Sequence, residues 1–123
     1  MGRLDDFQHF REHMNEKILA EGNLDTKRFW GLDSRVYEPG RVDGRTKEMM
    51  GLVASLVLRC DDCIAYHMIE CHGHGVDRET FYEVLNIGLV VGGSIVIPHM
   101  RRAVAVLDEL EGVSTAPPQP EGD

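Results

Sequence analysis

From residue 5 to residue 110 the apolar residues recur at helical spacing, and nowhere do they alternate with polar ones as in a half-buried strand. That pattern predicts an all-α fold. The clearest stretch is Thr46 to Leu58, where Met49, Leu52, Val53 and Leu56 fall at i, i+3, i+4 and i+7. Before it, residues 5–21 carry Phe7, Phe10, Met14, Ile18 and Leu19 close to a 3.6-residue period, and Gly22-Asn23 closes that helix. Asp25 to Tyr37 reads as a short helix with Asp25 as N-cap and Phe29, Leu32 and Val36 on one face. Glu38-Pro39-Gly40 makes a turn.

A further helix begins near Cys60, because Asp61 and Asp62 suit the positive end of a helix dipole. It runs to about His72 and ends at Gly73-His74-Gly75. Asp77 caps Glu79 to Val91, whose Phe81, Val84, Leu85, Gly88 and Leu89 face inward. Gly92-Gly93 breaks the chain, and Ser94 to Leu110 forms the last helix, where Pro98 fits in the first turn or as a kink.

The chain has 123 residues, enough for a single domain, here residues 1–112. Residues 113–123, with three prolines, read as a disordered tail. Segment 84–97 is apolar nearly all the way round, which a domain this small cannot bury alone, so a homo-oligomer is expected. A net charge of -8 argues against binding nucleic acid or an anionic membrane. The acidic start, Met1 to Asp6, does not read as a secretory leader. The apolar run Ile87 to Pro98 is interrupted and too short to span a bilayer. The expected compartment is the cytoplasm, where cysteines stay reduced and serve catalysis or metal binding more often than structural bridges.

Cys60-Asp61-Asp62-Cys63-x-x-x-His67 is the motif that carries chemistry. Cysteines three apart on a helix face the same way and can bridge. A helix N-terminus favours their thiolates. His67, one turn beyond Cys63, can take the thiol proton, and Glu48 can orient the imidazole. Twelve residues of straight helix would hold Glu48 about 18 Å from Cys60, so the chain must bend between them. Asp61 and Asp62 oppose the thiolate. Cys60, Cys63, His67, Cys71 and His74 also lie on one stripe, but a single straight helix cannot wrap them around a metal, and none is assigned. Cys71 reads as a buried helix residue. His72, His74 and His99 show no partner pattern, and His9 with His13 reads as a solvated face.

The stretches Thr46-Lys47-Glu48, Leu58 to His67, Gly75 to Thr80 and Val90 to Ser94 together resemble the carboxymuconolactone decarboxylase family, in its alkylhydroperoxidase D-like branch. The likeness covers about residues 46–110. It implies an all-α helical bundle assembled as trimers or hexamers. It also implies that Cys63 attacks peroxide, Cys60 resolves it, and His67 with Glu48 relays protons. A dihydrolipoyl protein would be the external dithiol reductant. Asp62 stands where the alkylhydroperoxidase has His, so hydroperoxide consumption is expected to be measurable but slow.

The expected function is therefore that of an antioxidant thiol oxidoreductase reducing hydroperoxides, with no bound cofactor. One rival is a lyase acting on a small lactone or carboxylate through His67 and Glu48. The other is a non-enzymatic oligomer whose dithiol only senses redox state.

Overall fold

The structure, a computed structural model, describes residues 2–116. Among these it has six α-helices and no strand: α1 (Arg3–Glu21), α2 (Leu24–Val36), α3 (Gly44–Leu58), α4 (Asp61–Gly73), α5 (Arg78–Gly92) and α6 (Ile97–Glu111). The all-α expectation holds. The tail beyond residue 116 lies outside the described residues. No described helix is long and apolar enough to cross a membrane.

Three helices start on one device. Asn23, Asp43 and Asp77 each accept a hydrogen bond from the backbone N–H three residues on, at Thr26, Thr46 and Thr80. A short polar side chain in extended backbone thereby satisfies a donor that the first helical turn leaves free. The expected cap Asp25 is corrected to Asn23, and Asp25 sits inside the first turn, where the dipole still suits its charge. The last helix divides into a 3-10 turn, Ser94–Val96, and α6, with Pro98 in the first turn of α6, where no N–H is needed.

The core lies among α3, α4, α5 and α6. Leu52 and Leu56 meet Ile64 and Met68, Phe81 and Leu85, and Ala103 and Leu107, all buried. Gly88 allows α5 to approach α3, since a Cβ there would stand 2.6 Å from Leu56 Cδ2. Between α3 and α4, Arg59 takes the left-handed conformation, φ 60° and ψ 41°, which costs a non-glycine residue about 1–2 kcal/mol. This turn is the bend that the sequence required, and it folds α4 back along α3.

The apolar stripes of α1 and α2 are only partly covered. Leu4 is the one buried residue of α1, and α2 buries none. Phe10, Phe29, Leu32 and Val36 are each more than half exposed. Helical periodicity marks an apolar stripe but does not say what covers it. Segment 84–97 divides in the same way. Val84, Leu85, Gly88 and Val96 are buried, whereas Ile87, Val90, Val91 and Ile95 stand open, and Ile87 and Val91 line a shallow groove with Met50 and Leu58 of α3.

Candidate active site

Cys60 is the N-cap of α4, and its Sγ accepts the Cys63 N–H at 3.3 Å. The two cysteines are joined in a disulfide, with Cα atoms 5.2 Å apart. Cys63 is exposed and Cys60 half-buried. The spacing and the helix start thus place the pair as the sequence predicts.

The Arg59 turn sets Glu48 of α3 against His67 of α4. Nδ1 of His67 lies 2.8 Å from Oε2 of Glu48, and both residues are buried. Nδ1–H donates to the carboxyl oxygen, which leaves Nε2 as the proton acceptor. Each partner satisfies a polar group that would be costly to bury alone.

Three residues around the imidazole carry no signal in the sequence. Tyr37, at the C-terminal end of α2, has its Oη 3.5 Å from Nε2 and its ring centroid 5.4 Å from that of His67. Tyr66 packs edge-on against His67 at 5.1 Å and carries Arg11 over its face at 4.3 Å. Gly51 leaves the room these rings occupy, since a Cβ there would stand 2.6 Å from His67 Cε1 and 2.9 Å from Tyr37 Oη. Burial, with Glu48 and Asp33 nearby, raises the Tyr37 phenol pKa, and burial with Glu70 raises that of Tyr66. Both are neutral hydroxyls at physiological pH.

A cleft of about 380 Å³ opens over this group. Phe7, Phe10 and Met14 of α1 form one wall, and Asp62, Cys63, Tyr66 and His67 of α4 form the other. Cys63 and His67 therefore share one opening. Cys71 lies apart in the core, and burial pushes its thiol up to about 12, so it stays protonated and unreactive at neutral pH.

The two aspartates of the motif differ. Asp61 Oδ1 lies 2.7 Å from His99 Nδ1, and Asp61 Oδ2 accepts from Arg102 Nη1 at 2.8 Å. The expectation that His99 has no partner is thereby corrected. Arg102 offsets the Asp61 charge beside the thiols, and His99, three residues before it on α6, lies within hydrogen-bond distance of the same carboxylate. Asp62 lines the cleft and keeps the opposing role. His9 and His13 are both exposed on α1, as expected of a solvated face. Among the described residues, no three or more His, Cys, Asp or Glu side chains are grouped so as to hold a metal ion.

The model of the carboxymuconolactone decarboxylase family matches residues 26–109 of the chain. An uncharacterised protein of the cox locus of Paracoccus denitrificans is 29% identical over 99 residues, which is 80% of this chain and 88% of that protein. A crystal structure from Thermotoga maritima superposes with a TM-score of 0.83 and 58% identity, covering 87% of this chain and 91% of the other. That protein is described as of the same family, with a suggested part in the antioxidative response. A family protein of Legionella pneumophila, in its apo form, superposes with a TM-score of 0.80 at 20% identity, over 87% of this chain and 96% of its own. At that identity the likeness concerns the fold alone.

Proposed function

The chain belongs to the carboxymuconolactone decarboxylase family, and from that premise we propose that it is an antioxidant thiol oxidoreductase, reducing hydroperoxides through Cys60 and Cys63. The observation that carries this reading is the shared cleft, into which both the exposed Cys63 and the Glu48-held imidazole of His67 open. His67 Nε2 takes the Cys63 proton. The thiolate attacks the outer peroxide oxygen, the O–O bond breaks, and the alkoxide leaves with a proton from His67. Cys63 is then a sulfenic acid. The Cys60 thiol then attacks the Cys63 sulfur, the sulfenic hydroxyl leaves as water with the Cys60 proton, and the disulfide closes. An external dithiol, such as a dihydrolipoyl group, reopens the bridge and is itself oxidised to a disulfide. The suggested antioxidative part of the Thermotoga maritima protein supports this assignment.

The lyase chemistry in the family's name is the rival, favoured by a buried Glu48–His67 pair that is formed without either sulfur. The two readings part on one assay. With dithiothreitol as reductant, the wild type consumes cumene hydroperoxide, and the Cys60→Ser, Cys63→Ser double variant does not. Equal consumption by the double variant, or none by the wild type, overturns the thiol reading.

The working form is proposed to be a homo-oligomer in the cytoplasm, a trimer or hexamer. Ile87, Val90, Val91 and Ile95 form its apolar contact surface together with Met50 and Leu58. Sedimentation at micromolar concentration should give several times the 13.8 kDa of one chain, and a folded monomer would contradict this.

A further inference from the structure

We infer that Tyr37 is a positioning residue of the thiol centre, its hydroxyl receiving the proton-bearing Nε2 of His67 while the Cys63 thiolate attacks. The inference rests on the thiol reading of the site and names a part that neither the motif nor the family match assigns.

Three observations place the hydroxyl there by construction rather than by chance. Its Oη faces Nε2 at 3.5 Å, the outer edge of hydrogen-bond reach, as catalytic contacts often do before the reacting state forms. Glu48 already occupies Nδ1, so Nε2 is the only ring nitrogen left for Tyr37. Gly51 keeps the space between the rings clear, where any side chain would strike both. The position of Tyr37 is fixed from behind as well. Lys47 Nζ donates to the carbonyls of Val36 and Glu38, at 2.8 and 2.6 Å, and so clamps the backbone on either side of it.

The chemistry follows from the hydroxyl's two roles. It donates to a neutral imidazole and accepts from a protonated one, rotating to suit. The second bond is charge-assisted and the stronger. Tyr37 therefore favours the state in which His67 has taken the thiol proton, and it holds that proton away from the sulfur. The phenol itself stays neutral, because burial and the nearby carboxylates of Glu48 and Asp33 disfavour its anion. Further charged groups at this site are Lys47 on α3, turned to the backbone, Arg11 on α1, stacked on Tyr66, Glu70 on α4, which acts on Tyr66, and Asp62, which lines the same cleft as His67.

Tyr37→Phe keeps the ring and removes only Oη. In protein with Cys60 and Cys71 replaced by serine, iodoacetamide alkylation of Cys63 at neutral pH should slow about fivefold, the effect of one net hydrogen bond. The midpoint of its pH profile should move up. The ¹⁵N resonance of His67 Nε2 should shift in the same variant. A superimposable alkylation profile overturns the inference. So does a shifted profile with an unmoved nitrogen resonance, because the effect would then not pass through His67. If the wild type consumes no peroxide, the function reading falls separately, and the nitrogen resonance still decides the role of Tyr37.

Discussion

Gly51→Ala lowers hydroperoxide turnover about 100-fold in a protein that remains folded, the loss typical of a reacting group displaced by about 1 Å. The added Cβ would stand 2.6 Å from His67 Cε1, 2.9 Å from Nε2 and 2.9 Å from Tyr37 Oη. Real carbon contacts do not come so close, so both rings must move. His67 is tied to Glu48 on its other nitrogen and cannot retreat without stretching a 2.8 Å bond. Stability changes less than activity. Overpacking costs about 1–3 kcal/mol, whereas alanine in place of a mid-helix glycine returns about 1 kcal/mol. Thermal melts and steady-state peroxide consumption on the same samples check both halves. Wild-type turnover in a folded Gly51→Ala protein would show that the rings have slack that the geometry denies them.

His67→Ala slows alkylation of Cys63 about tenfold at neutral pH, the change expected when a thiol loses its adjacent base. Glu48→Gln slows it less, about threefold, because the amide oxygen still accepts from Nδ1–H and only the charge is lost. The sign follows from the thiolate. Without the imidazole to take the proton, the thiol pKa rises, so the rate is lost at neutral pH and recovered at high pH. Both variants should therefore converge on the wild-type rate in alkaline buffer. The measurement is iodoacetamide alkylation against pH, with Cys60 and Cys71 already replaced by serine. Superimposable curves would mean that the helix N-terminus alone tunes the sulfur and that His67 with Glu48 is structural. Asp61 does not obscure this result, because His99 and Arg102 bind its carboxylate.

Much of this arrangement was legible in the sequence because it rests on local rules. The stripe Met49, Leu52, Val53 and Leu56 gave α3, and the motif spacing gave the bridge and the position of His67 along α4. The need for a bend before Cys60 was readable as a distance, although its maker, a left-handed Arg59, was not. What stayed hidden depends on contacts between distant segments. Tyr37 reaches His67 across 30 positions, and His99 reaches Asp61 across 38. Neither pair shares a helix, so no periodicity announces it. Gly51 was silent for a different reason. A glycine inside a helix reads as a weakness until the ring that fills its place is seen. The open faces of α1 and α2 show the converse, since their stripes were correctly periodic and yet one chain does not cover them.

The central claim is that Cys60 and Cys63 form a working redox couple rather than a structural staple. The exposure of Cys63 and the Glu48–His67 pair at the same cleft both favour a bridge that opens readily. The direct test is the equilibrium reduction potential of the pair, titrated against defined dithiol buffers and read by mass spectrometry of the trapped forms. The account predicts a value between about −120 and −270 mV, the range of catalytic dithiols. A value below about −300 mV, where structural disulfides lie, would contradict it.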